Sequence, residues 1–165
     1  MGCAGSPQLA QPLQGDLSSD SAITTCFSPD EKCDEQLISF IRSAKKSIDI
    51  AIFSLTHPQI VHEILMASRR IPVRVLVDRR QSKERHSLVS TLIKAQVPVR
   101  SGYQRGIMHH KFVIVDKDKL ETGSFNFTHG ASFKNQENQI YIWKSEVVSQ
   151  YQSRFDKMWH EARVF

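Results

Sequence analysis

Residues 109–126 set four polar side chains of different chemistry at two-residue spacings around two short apolar segments. They read His109-His-Lys111-Phe-Val-Ile-Val-Asp116, then six more residues, then Gly123-Ser124-Phe-Asn126. The β-branched and aromatic run 111–115 predicts a strand. Residues 116–119 form a polar turn, and 120–127 read as the return strand. Any fold open to this chain must therefore contain the hairpin and place its polar groups.

Successive strand residues face opposite sides, so His109 and Lys111 share a face, about 7 Å apart. Ser124 and Asn126 share a face in the same way. Where the hairpin aligns the two sets, four groups converge. Lys111 then holds an anionic oxygen, Ser124 and Asn126 donate to others, and His109 attacks phosphorus or moves a proton. Gly123 lets a phosphate approach the backbone. His110 falls on the opposite face and reads as a packing or core histidine. Asp116 lies with His110, Phe112 and Ile114, which assigns it to capping the turn or pairing with a buried base. This is a phosphate site with a built-in nucleophile. No His/Asp/Glu cluster has metal-ligand spacing, so no metal is expected.

The arrangement His109-x-Lys111-x4-Asp116-x6-Gly123-Ser124-x-Asn126 resembles the signature of the phospholipase D superfamily, with every defined position filled. Phe27-Ser-Pro, Ile52-Phe-Ser-Leu-Thr56, the strand 73–78 and Lys134-Asn-Gln-Glu-Asn138 are similar to the small bacterial nucleases of that superfamily. The likeness covers about residues 26–162. One departure is Ile71-Pro72, where a glycine before the strand is usual. Members of full size carry two copies of the motif, whereas this chain has one.

The resemblance implies a reaction that needs two histidines and no cofactor. One attacks phosphorus and becomes a phosphohistidine, while the other protonates the leaving oxygen and then activates water. With one motif per chain, it implies a homodimer in which each chain gives one His109 to a shared site. Glu137 matches the family's acidic residue that hydrogen-bonds the imidazole and stabilises its cation.

Periodicity orders the rest. Helices are expected over 29–44, 58–69, 83–95 and 145–163, and strands over 47–53, 73–77, 97–100 and 139–143. The first helix should bury Cys33, Leu37, Ile38, Ile41 and Ala44, and the last Val148, Tyr151, Phe155, Met158 and Trp159. Early alternation followed by hairpins predicts an α/β sandwich, a mixed sheet flanked by helices on both faces. Ser28-Pro-Asp-Glu31 reads as a capping box with Pro29 at the first helical position. Cys26 and Cys33 then lie close enough for a disulfide, with two reduced thiols as the alternative.

The chain has 165 residues and 40% hydrophobic content, enough for one domain and its core. Residues 1–24 are rich in Ser, Gln, Gly, Pro and Asp and lack periodicity, which assigns them to a disordered lead before a phosphodiesterase domain over 25–165. Met1-Gly-Cys-Ala-Gly-Ser6 matches a myristoylation pattern with Cys3 as a palmitoyl site, or the remnant of a bacterial lipoprotein junction. No apolar run reaches transmembrane length and no secretory signal is visible. The expected location is periplasmic or extracellular if a signal is missing from this chain, and cytoplasmic otherwise.

A net charge of +5 favours an anionic partner. Arg79, Arg80, Lys83, Arg85 and His86, with Arg100 and Arg105, read either as a rim that binds a phosphodiester backbone or as a solvated basic loop. Tyr103 and Phe125 are candidates to stack on bases, although Phe125 alternates away from Ser124. The main reading is a metal-independent, non-specific endonuclease. The alternatives are a phospholipase D acting on headgroups, for which no amphipathic membrane-facing segment is evident, and a non-catalytic nucleic-acid-binding module.

Overall fold

The structure is a computed structural model that describes residues 23–102, 106–143 and 146–165. The lipidation pattern at the N-terminus, Tyr103, Arg105 and the expected helix start at Ser145 lie outside the described residues. The elements run β1 (Ile23–Ser28), α1 (Cys33–Arg42), β2 (Ile48–Ile52), α2 (Pro58–Ser68), β3 (Val73–Asp78), α3 (Val89–Lys94), β4 (Val99–Gly102), β5 (Lys111–Val115), β6 (Lys119–Gly123), α4 (His129–Phe133), β7 (Glu137–Trp143), α5 (Glu146–Glu161) and β8 (Arg163–Val164). The strands form one mixed sheet in the order β1-β7-β6-β5-β2-β3-β4-β8.

Both faces are covered, as expected. Helices α1 to α3 pack through Leu37, Ile41, Ile60, Ile64 and Leu92 on one face, against Ile48, Ile50, Ile52, Val75 and Val113. Helix α5 packs through Val148 and Phe155 on the other, against Ala51, Leu76, Phe112, Ile114 and Leu120. This double cover explains why β2, β3 and β5 read as almost continuous apolar runs. Tyr151, Met158 and Trp159 lie half-buried at the margin of the second core. Asp49 is the polar exception within β2, and Arg74 answers it. The guanidinium makes two 2.7 Å bonds to the Asp49 carboxylate and a third to Asp156 of α5. It also lies over the rings of Phe155 and Trp159. The carboxylates hold its pKa above the usual range against the opposing effect of burial.

Several boundaries differ from expectation. Helix α1 begins at Cys33, with Lys32 as its N-cap, rather than at Pro29. The Glu31 carboxylate accepts the Phe27 N–H at 2.9 Å and closes a turn in place of a capping box. Cys26 and Cys33 are joined in a disulfide that ties β1 to the start of α1. Strand β1 starts at Ile23, two residues before the expected beginning of the domain, and its pairing with β7 left no period-two signature in the sequence. Helix α2 ends at Ser68, and Pro72 leads into β3 while its carbonyl accepts the Ile48 N–H.

The helix expected over 83–95 is only the short α3, preceded by a single 3-10 turn at Gln81–Lys83. The polar run 83–87 offers no apolar face to bury, and the Asp78 carboxylate instead captures the N–H groups of Arg80 and Gln81. Asp116 caps at long range rather than pairing with a base. It has a φ of 56° and accepts the backbone N–H groups of Lys45, Lys46 and Ser47, which hold its pKa below the usual value against the effect of burial.

Beneath the first core, Glu121 of β6 is fully buried with one oxygen unpartnered, opposite Tyr141 of β7. Burial pushes its pKa from 4.5 to about 8. Between those values the folded chain holds a proton that the unfolded chain has released, so stability falls as pH rises through this window. Glu121→Gln should therefore melt higher than wild type at pH values above about 8, and the difference should shrink towards pH values below about 4.5. Melting curves across that range check this; an unchanged gap at acid pH would show that the proton is not the cause.

Candidate active site

Strand directions bring the polar groups to one end of the sheet. Lys111, the first residue of β5, lies opposite Ile52, the last of β2. Gly123 ends β6 beside β7, which begins at Glu137. His109 therefore stands exposed just before β5, with Lys111 behind it. The buried Lys111 ammonium donates to the His109 carbonyl at 2.8 Å and lies 3.4 Å from both nitrogens of its ring. Burial lowers the pKa of Lys111, and the charge of Glu137 works in the opposite direction.

Phe53 completes this corner, and sequence reasoning had passed over it as the end of a strand. Its ring meets the His109 imidazole edge-on at 4.4 Å, and the Lys111 ammonium lies 5.2 Å from its centroid. Asp78 is a second residue that had not been anticipated. One of its oxygens caps the turn after β3, and the other accepts the Met108 N–H at 3.0 Å, which anchors the residue before His109. A carboxylate closing the buried run Val-Arg-Val-Leu-Val was the available signal.

The return segment leaves the sheet after Gly123 instead of continuing to Phe127. A Cβ at Gly123 would lie 2.0 Å from the Asn138 carbonyl oxygen. Glycine is required for that backbone contact. Residues 124–128 then pair with the chain after β2. The Phe127 N–H donates to Ser54, and the Phe127 carbonyl accepts from Thr56 and His57. Phe125 and Phe127 are fully buried, so Phe125 belongs to the core and not to a base-stacking surface. The Asn126 side-chain oxygen accepts the Ser54 N–H at 3.3 Å, which fixes the carboxamide and leaves the donor role to its NH2 group.

Ser124 and Glu137 differ from expectation. The Ser124 hydroxyl donates to the Glu137 carboxylate at 2.5 Å and accepts the Asn138 N–H at 3.1 Å. The other Glu137 oxygen accepts from the Asn135 amide. Within the chain, Glu137 thus holds Ser124 and favours the charge on Lys111; it does not bond the His109 ring. His110 packs against the ring of Phe112 at an exposed position, a packing histidine and not a core one. Burial of its ring, then the charges of Arg154, Lys111 and His109, lower its pKa. His57 is the buried imidazole, bound through Nε2 to Asp34 at 3.4 Å.

The exposed His109 imidazole with the Lys111 ammonium beside it suits attack on a tetrahedral phosphate. A family model described as "Cardiolipin synthase, PLD-like domain" matches residues 37–159. The chain belongs to the phospholipase D superfamily. It is a phosphodiesterase of that superfamily. A phospholipase D of Rickettsia conorii is 35% identical over 134 residues, covering 81% of this chain and 67% of the relative. A mitochondrial cardiolipin hydrolase of Mus musculus is 34% identical over 127 residues, covering 76% and 58%. Among solved structures, the phospholipase D family member Nuc of Salmonella typhimurium aligns with a TM-score of 0.83 at 30% identity, over 88% of this chain and 99% of that one. NucT of Helicobacter pylori aligns with a TM-score of 0.80 at 29% identity, over 88% and 100%.

The placement of Glu137 leads to a pH prediction. Removing its charge takes away the influence that opposes the depression of the Lys111 pKa. Glu137→Gln should therefore move the alkaline limb of the kcat/KM profile of this phosphodiesterase to lower pH. Profiles of the two proteins on a small diester measure this; coincident alkaline limbs would separate Glu137 from the charge of Lys111.

Proposed function

We propose that the chain is a metal-independent, non-specific endonuclease that works as a homodimer through a phosphohistidine intermediate. The observation that carries the nucleic-acid reading is a set of free cations. Arg79, Arg80, Lys83 and Arg85 are exposed, and among the described residues their side chains have no ion-pair or hydrogen-bond partner. They follow β3, which runs parallel to β2, so they rim the end of the sheet that holds His109. Such a rim binds a phosphodiester backbone without reading bases. The whole-length likeness to Nuc and NucT supports the same choice. The second reading, hydrolysis of a phospholipid headgroup, is favoured by the names of the sequence relatives.

In the proposed reaction, His109 attacks phosphorus while Lys111 and the Asn126 amide stabilise the charge that develops on the non-bridging oxygens. His109 of the partner subunit protonates the leaving oxygen and then takes a proton from the water that releases the phosphoryl group. Asp116 and Gly123 act structurally, and Ser124 with Glu137 keeps the ammonium and the loop in place. Because Lys111 and Asn126 supply the charge stabilisation, no cofactor is required. Purified protein should cleave plasmid, single-stranded DNA or RNA in millimolar EDTA. Loss of cleavage that Mg²⁺ or Zn²⁺ restores would defeat the metal-independent mechanism, and turnover of phosphatidylcholine alone would select the second reading.

The shared site has its own test. His109→Ala homodimers should be inactive. A wild-type/His109→Ala heterodimer, purified through a tag on one chain, keeps one imidazole per shared site and lacks its acid/base partner. Its steady-state rate should fall far below half that of wild type. A rate of half or more would mean that each chain holds an independent site.

A further inference from the structure

Beside His109, on the face covered by α5, lies a cleft of about 780 Å³ that the reaction above does not use. Its floor is apolar: Leu76 of β3, Met108 and Met158 of α5. Gly102 of β4 makes the floor possible, since a Cβ there would lie 2.8 Å from the Met108 side chain and 3.2 Å from Leu76. Its wall carries Arg154 and Lys157, three residues apart and so on one side of α5, with the carboxylate of Glu161 one turn beyond Lys157 at the far end. Both are exposed, and neither has an ion-pair or hydrogen-bond partner among the described residues. His109 and His110 stand at its mouth.

We propose that this cleft binds the nucleotide next to the scissile phosphate of a single-stranded polynucleotide. The inference rests on the nuclease reading and extends it to a substrate form and a subsite. The flanking phosphate meets Arg154 and Lys157, and the adjoining base lies on the thioether and aliphatic floor. An unstacked base presents a flat, weakly polar face that such a floor accepts whatever its identity. A base paired within a duplex keeps that face covered by its neighbours. A lipid headgroup has a phosphate for the cations but no flat apolar group for the floor between them and His109.

The test compares wild type with Arg154→Gln/Lys157→Gln, which preserves helix propensity and removes both charges. The substrates are a single-stranded oligonucleotide and bis(para-nitrophenyl) phosphate, a diester too small to span the cleft. On the oligonucleotide, KM should rise roughly tenfold with kcat little changed, and the slope of log KM against log salt should fall by about 0.7, the value for one lost phosphate contact. The loss on the small diester should be several-fold smaller. Lys157→Glu alone should act in the same direction. Equal losses on both substrates would make the two residues structural and overturn the subsite. An unchanged KM and salt slope on the oligonucleotide would overturn it as well. An equal rise in KM on phosphatidylglycerol micelles would assign the cleft to headgroups and overturn the polynucleotide assignment. Wild type that hydrolyses the small diester but no nucleic acid would defeat the nuclease reading itself, and the subsite with it.

Discussion

The antiparallel pairing of β2 with β5, which sets Ile52 opposite Lys111, joins the parallel strands β2, β3 and β4 to the antiparallel strands β5, β6 and β7. Because of that single change of direction, the end of β2, the start of β5 and the end of β6 meet at one edge. Phe53, Lys111 and Ser124 belong to segments far apart in sequence, yet each is the first residue in its strand, or the first beyond it, at that edge. The pairing is buried on both faces, so a register slip would carry apolar side chains to the wrong layer. The precision of the site is inherited from the packing of the sheet.

Asp49, Lys111 and Glu121 are ionisable groups buried in the fold, and each is handled differently. Asp49 is answered by Arg74, which also fastens α5 through Asp156 and two aromatic rings. Lys111 is turned onto a carbonyl of its own segment and remains beside a carboxylate. Glu121 has no basic partner among the described residues and is held protonated by its surroundings. The first arrangement is structural, since it fixes the helix that forms the wall of the cleft. The second holds an ammonium beside the His109 ring.

Much of this was legible in the sequence. The run Lys-Phe-Val-Ile-Val announced β5, and the spacing of His109, Lys111, Ser124 and Asn126 announced that one edge would gather them. The helices failed where sequence periodicity and local hydrogen bonding disagreed. The region 83–95 has a helical composition, but Asp78 draws its leading turn away. The return strand failed at Gly123 because the signal for its exit is a contact with Asn138, a residue 15 positions later, which no local pattern contains. Glu137 could be assigned to the site by resemblance; its bond to Ser124 could not. Phe53 and Asp78 were hidden for the opposite reason, since at the end of an apolar run an aromatic or a carboxylate looks like ordinary punctuation.

Strand β1 has a further consequence. It pairs with β7 along the whole length Ile23–Ser28, so that Ser28 lies opposite Glu137, and the disulfide anchors it to α1. Were it absent, the strand that begins at Glu137 would become the border of the sheet, with a row of unpaired backbone groups beside the reactive edge. Exposed borders of that kind recruit other strands. The short N-terminal strand therefore acts as a selvedge: it finishes the edge of the fabric and keeps the neighbouring thread, which carries the carboxylate of the site, from pairing with a stranger.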